Sequence, residues 1–258
     1  MPLSLASRAD LDGRRRSTLY RSGKTNCPVV PDRRTLILNF KNYAEILGAK
    51  SLELARAAER VSSVVDVEIV LAPPTPMIGA VASAVNNRVF SQKAEVGIVG
   101  QSTGALIPES IKAAGAAGSI LNHSEARVPP AGLNTAIPRL KSVGLEVCVC
   151  GQTPREVSKL ANLSTEYLAV EPPELIGSGV AVSKARPELI EDVVRVARSA
   201  AYHGRILCGA GIVSGDDVRM AVKLGVDGLL VSSSVVKAKN WDGKITELAL
   251  ALQASRNP

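Results

Sequence analysis

Aromatic side chains are scarce, with two Phe, four Tyr and one Trp in 258 residues, so no basic stripe interleaved with rings offers nucleic-acid bases a stacking surface. Histidine is rarer still: His123 and His203 are the only two, which excludes metal centres built from several imidazoles. The four cysteines, Cys27, Cys148, Cys150 and Cys208, do not fall into CxxC or Cys/His ligand spacing and read as reduced thiols. Cys148 and Cys150 would share a face of one strand, but two residues of rise, about 6.6 Å, is near the upper limit for a disulfide. No metal and no cofactor is expected. No apolar run reaches the roughly 18 to 20 residues that cross a bilayer, and no apolar stretch near the start has the form of a secretory signal. A cytoplasmic protein with no membrane partner is therefore expected.

The formal net charge of +7 is mostly local. Residues 1–34 hold eight Lys/Arg against three Asp, a balance of +5, and everything after residue 34 carries only +2. Nucleic acid is accordingly not an expected partner of the body of the chain. The first 34 residues are rich in Arg, Ser and Pro and poor in large apolar residues, so they are expected to form a disordered basic extension. A targeting peptide, an arm that touches polyanions and an overlong start without function all stay open, with Asp10 and Asp12 counting against the first.

With 46% hydrophobic residues the rest of the chain can bury a large single core, and one catalytic domain over residues 35–255 is expected. From Thr35 onward short β-branched runs alternate with segments of helical period, the pattern of repeated β-α units. Eight strands are read: Leu36 to Phe40, Glu68 to Ala72, Val89 to Gln92, Ser119 to Asn122, Glu146 to Cys150, Tyr167 to Val170, Arg205 to Cys208 and Gly228 to Ser232. Helices are read at Ala44 to Ser62, Pro108 to Ala114, Ala131 to Val143, Pro154 to Leu163, Pro187 to Tyr202, Ser214 to Leu224 and Ile245 to Gln253. Eight strands favour an α/β fold of the closed (β/α)8 TIM-barrel type over a doubly wound sheet, which more often has five or six.

In such a barrel the active site lies where the strands end. Four ends carry polar or small residues: Asn39-Phe40-Lys41, Asn122-His123-Ser124-Glu125, Val170-Glu171-Pro172-Pro173 and Cys208-Gly209-Ala210-Gly211. Lys41 alone reads as a solvated loop residue and a lone histidine as structural. A carboxylate, an imidazole and an ammonium converging from three strand ends make a different set, a base, an electrophile and a fixed positive charge, which is what removal of a proton beside a carbonyl needs. Gly177-Ser178-Gly179, Gly209-Ala210-Gly211 and Ser232-Ser233-Ser234 are small residues at late strand ends, where exposed backbone N–H groups commonly hold phosphate. Any one of these could equally be a tight turn.

Asn39-Phe40-Lys41, Asn122-His123-Ser124-Glu125 and the run Ala169 to Gly179 together resemble the triosephosphate isomerase family, in its short archaeal type, over roughly Thr35 to Leu252. The resemblance implies interconversion of dihydroxyacetone phosphate and D-glyceraldehyde 3-phosphate through an enediolate, in glycolysis and gluconeogenesis. It implies that Glu171 is the base, His123 the neutral electrophile, Lys41 the stabiliser of the enediolate charge, Asn39 an orienting group and Glu125 a member of the surrounding layer. It also implies phosphate contacts around Ile176 and Gly177 with Gly211, Ser232 and Ser233, a lid from Pro172 to Val182, triose phosphates as the small-molecule partners, and a homo-oligomer, a tetramer. Two departures stand out: Ser234 occupies a position where many short members have glycine, and the lid hinge lacks the tryptophan of the longer enzymes.

Other enzymes of this shape fit less well. A metal-dependent sugar-phosphate epimerase needs more histidines, and a Schiff-base aldolase needs a lysine where strand six offers Glu171. The contrasting class is a phosphate-binding barrel without isomerase activity, its basic arm mediating an interaction.

Overall fold

The computed structural model describes residues 33–171 and 186–255. Its strands are β1 (Arg34–Asn39), β2 (Val67–Ala72), β3 (Phe90–Ser91), β4 (Gly118–Leu121), β5 (Glu146–Gly151), β6 (Tyr167–Val170), β7 (Arg205–Cys208) and β8 (Gly228–Val231). They form one parallel sheet in the order β2-β1-β8-β7-β6-β5-β4-β3. The two ends of that sheet meet at a parallel bridge between Leu71 and Val89, where the Leu71 N–H donates to the Arg88 carbonyl at 2.9 Å. The result is a nearly closed (β/α)8 barrel, as the strand count implied.

Strand alternation divides the core in two. Ile37, Phe90, Ile120, Cys148, Leu207 and Leu230 belong to a cluster that fills the barrel. Their strand neighbours, among them Leu36, Leu38, Val147, Leu168, Ile206 and Leu229, belong to the larger cluster beneath the helices. Full burial of each such side chain stabilises the fold by about 1.5–3 kcal/mol. At the amino-terminal mouth the filling turns polar: Glu68 of β2 accepts from Thr35 at 3.2 Å, from Arg88 at 2.6 Å and from Arg205 at 3.3 Å. Arg88 also pairs with Glu146 and donates to the Tyr167 hydroxyl at 3.2 Å. Burial, with Glu68 next, raises the Tyr167 phenol, so it stays protonated in this layer.

The helices are α1 (Ala49–Ser62), α2 (Ile78–Ala84), α3 (Pro108–Ala113), α4 (Pro130–Ser142), α5 (Pro154–Leu160), α6 (Pro187–Ser199), α7 (Gly215–Lys223), α8 (Ser233–Val236) and α9 (Trp241–Ala254). Proline opens α3, α4, α5 and α6, where its fixed φ suits the first turn and its missing N–H costs nothing. Ser214 and Asp217 form a reciprocal capping box on α7.

Several boundaries differ from the sequence reading. The helix expected over Ala44 to Ser62 is broken: a 3-10 turn, Ala44–Ile46, precedes α1, and Gly48 between them sits at φ 59, a conformation that interrupts a helix. The third strand shrinks to two residues because Val89 makes only the closing bridge. The last helix begins earlier, at Trp241, capped by the Asn240 side chain. Both α2 and α8 were absent from the sequence reading; each spans two turns or fewer, too short for a helical period to register. Residues 1–32 of the basic extension lie outside the described residues, as does the segment read as a lid, Pro172 to Val182.

Candidate active site

β1 delivers the first two groups. Asn39 ends the strand, buried, and its side-chain oxygen accepts the Lys41 N–H at 3.0 Å. Lys41 is in the left-handed region at φ 51, which costs a side-chain-bearing residue of order 1 kcal/mol. Gln92, just past β3, holds that turn by donating to the carbonyls of Lys41 at 3.1 Å and Ala72 at 3.0 Å. The Lys41 ammonium then meets Glu125 at 2.6 Å.

β4 delivers the imidazole. Asn122 follows the strand at φ 60, and His123 comes next, almost wholly buried. Its Nδ1 accepts the Glu125 N–H at 3.1 Å. An accepting Nδ1 carries no proton, so the neutral ring holds its hydrogen on Nε2. Nε2 faces Glu171 Oε1 at 3.2 Å.

β6 delivers the carboxylate. The Glu171 N–H donates to the Gly151 carbonyl at 2.9 Å, which sets the residue in register with the end of β5. Its Oε2 accepts from the Ser124 N–H at 3.3 Å, and only 2% of the residue is exposed. Behind it stands the backbone of Gly209: a Cβ there would lie 2.6 Å from Glu171 Cγ. The Cys150 thiol also borders this carboxylate. The hydrogen bond that its S–H gives to Cys148, burial and the charge of Glu171 push it well above the ordinary thiol range, so a neutral thiol adjoins the Glu171 carboxylate.

β7 and β8 contribute backbone. Gly211 sits at φ 71, a conformation suited to glycine. Ser232 precedes α8, and its buried hydroxyl has no hydrogen-bond partner among the described residues. The N–H groups of Ser233 and Ser234, opening this short helix, have no intrahelical acceptor, as at any helix start.

Asn39, Lys41, His123, Glu125, Glu171, Gly211, Ser232 and Ser233 all line one cavity of about 190 Å³ at the carboxyl ends of the strands. That volume is below the roughly 300–1,000 Å³ of drug-sized sites and suits a small polar molecule. Ile176 and Gly177, the other two expected phosphate contacts, lie outside the described residues. Among the described residues no three His, Cys, Asp or Glu side chains converge to hold a metal ion, and no helix is long and apolar enough to cross a membrane. The sequence reading missed Tyr43 and Gln92 as site-forming residues, and it placed Gly209 in a phosphate-holding run, not behind Glu171. Gln92 carried a usable signal, a polar residue at a strand end. Tyr43, which lines the cavity and sits under the Lys237 ammonium at 4.7 Å, carried none.

The family model described as triosephosphate isomerase matches residues 34–249. The chain is 41% identical over 213 residues to "Triosephosphate isomerase" of Methanocaldococcus jannaschii, covering 83% of this chain and 97% of the relative. It is 43% identical over 223 residues to the protein of that name from Pyrobaculum islandicum, covering 86% and 97%. It is 44% identical over 204 residues to that of Metallosphaera sedula, covering 79% and 89%.

Proposed function

The chain belongs to the triosephosphate isomerase family, an isomerase family, and from that premise we propose that it interconverts dihydroxyacetone phosphate and D-glyceraldehyde 3-phosphate through an enediolate, with Glu171 as the base. The observation that carries this reading is the pairing of Glu171 Oε1 with His123 Nε2 at 3.2 Å inside the cavity. A substrate carbonyl oxygen entering between them takes the Nε2–H for itself. That releases Oε1 to face the neighbouring carbon, whose proton the carboxylate then removes. The resulting oxyanion is held by Nε2–H and by the Lys41 ammonium, each preorganised donor contributing about 3 kcal/mol at the transition state. Glu171 returns the proton to the adjacent carbon while the hydroxyl proton passes from the oxygen that becomes the carbonyl to the one that becomes the hydroxyl, by way of His123 Nε2 beside both, and Asn39 fixes the Lys41 turn that aims the cation.

The phosphate is assigned to the backbone of Gly211, Ser232 and Ser233. The free N–H groups at the start of α8 and the left-handed turn at Gly211 supply donors without bulk. The reaction would run in glycolysis and gluconeogenesis, since one enzyme serves both directions, and we place it in the cytoplasm. A homo-oligomer, read as a tetramer, is supported by Val96, Ile98 and Val99, which expose 51%, 67% and 69% of their surface on one loop, an apolar patch that a second copy would cover.

Turnover in D2O tests the proton-transfer reading. Solvent deuterium is expected at the carbon that gains the proton in the product. Complete retention of the substrate's own hydrogen, as a direct hydride shift between the carbons would give, contradicts it.

A further inference from the structure

The loop that carries His123 is fastened to the end of β5 at both ends. Asn122 is 1% exposed, and its left-handed backbone turns the chain sharply before His123. The Asn122 side chain donates to the Cys150 carbonyl at 2.8 Å and to Glu156 Oε1 at 3.1 Å, and accepts the Val128 N–H at 3.0 Å, closing the loop 122–128. From the far end of that loop Arg127 reaches back, donating to the Asn122 carbonyl at 3.2 Å and pairing with Glu156. Glu156, in the first turn of α5, uses its second oxygen to accept the Gln152 N–H at 2.9 Å. Gln152 directly follows Gly151, whose carbonyl holds the Glu171 N–H. One carboxylate therefore ties the His123 loop to the strand end from which Glu171 is also hung.

We propose that Glu156 is a positioning residue for the reaction, holding His123 in its Nε2–H tautomer and in line with Glu171 through Asn122 and Arg127. This rests on His123 serving as the electrophile. The physical case is that a non-glycine residue at φ 60 persists only when its surroundings over-determine it. Glu156 supplies two of those constraints, one on the Asn122 side chain and one through Arg127 on the Asn122 carbonyl. Without them the loop relaxes, the Glu125 N–H drifts from Nδ1, and the ring loses the donor that keeps Nδ1 unprotonated. The ionisable groups around that ring are Glu171, Glu125, Lys41 and the Cys150 thiol beside Glu171, and the Glu156 carboxylate reaches it only through the loop.

The test uses the full chain labelled with 15N-histidine, which contains only His123 and the exposed His203, the latter an internal reference. Wild type is expected to give a His123 Nδ1 signal of an unprotonated acceptor and a protonated Nε2. Glu156→Ala is expected to mix the two tautomers and to lower kcat about tenfold while KM stays within about twofold; Glu156→Gln, which keeps an acceptor of the same reach, recovers part of both. Arg139→Met, which breaks the remote Arg139–Glu109 pair, should alter neither readout. A His123 spectrum and kcat of Glu156→Ala that match wild type overturn the proposal. Should Glu156→Ala not fold, Arg127→Met is measured instead, with smaller changes of the same kind expected and an unchanged tautomer overturning the idea. Inactive wild type would refute the isomerase reading, while the tautomer signal would still decide the role of Glu156 in holding the ring.

Discussion

Oε1 of Glu171 lies 3.2 Å from Nε2 of His123, so the two groups assigned to opposite sides of the substrate carbonyl hydrogen-bond each other across the cavity. With Oε2 taken by the Ser124 N–H, both oxygens of the carboxylate are engaged. Chemistry requires the side chain to trade these partners for the substrate, and the room behind it is set by Gly209.

Gly209→Ala would put a methyl 2.6 Å from Glu171 Cγ and 3.0 Å from the Val170 carbonyl. The base has to shift, and a misplacement of about 1 Å costs on the order of 100-fold in rate. Expected is a kcat lower by that factor with a melting temperature near wild type. Wild-type kcat would show that Glu171 does not need this space.

Lys41→Met removes the cation that Glu125 holds. Loss of a charge aimed at a developing oxyanion is expected to lower kcat/KM about 100- to 1,000-fold. Glu125→Gln leaves the ammonium in place and should cost far less. Equal losses in the two variants would mean that the pair, and not the cation, matters.

How much of this was legible in advance differs by element. Short β-branched apolar runs located the strands, because parallel strands buried on both faces leave a continuous apolar mark in residue order. Asn39, Lys41, His123 and Glu171 could be singled out because each sits at or just past a strand end. The constraints that shape them were not legible: the Gln92 hold on the Lys41 carbonyl and the fit of Gly209 behind Glu171 are contacts between distant segments. Short helices such as Ile78–Ala84 were missed for the same reason that their stability is tertiary.

At the opposite mouth, Glu68 compensates both Arg88 and Arg205. Glu68→Gln leaves two guanidinium groups partly uncompensated, and breaking such a buried arrangement costs about 3–5 kcal/mol. Urea unfolding should register that loss, while kcat of the folded variant stays unchanged because the cavity is at the other end of the barrel. A loss below about 1 kcal/mol would show that water reaches the layer freely.

Burial pushes the Cys208 thiol up to about 12. An acid whose folded pKa is raised favours the folded state in full below its unfolded value, and that contribution disappears as pH climbs to the folded one. Stability should hold below about pH 9 and fall between there and pH 12, with this thiol accounting for roughly 4 kcal/mol of the decline. Cys208→Ala should flatten that slope in unfolding measurements, and an unchanged slope would contradict the assignment. Cys148, Cys150 and Cys208 are all buried and should resist thiol reagents until the chain unfolds.

The central claim is that Glu171 moves the proton. Its direct test is a coupled assay of triose phosphate interconversion, without added metal, on wild type and Glu171→Gln. Fast wild-type turnover that falls by about 100- to 10,000-fold in the variant is the predicted result. A folded Glu171→Gln protein that keeps more than roughly a tenth of wild-type turnover would contradict it, because general-base catalysis is worth at least 100-fold.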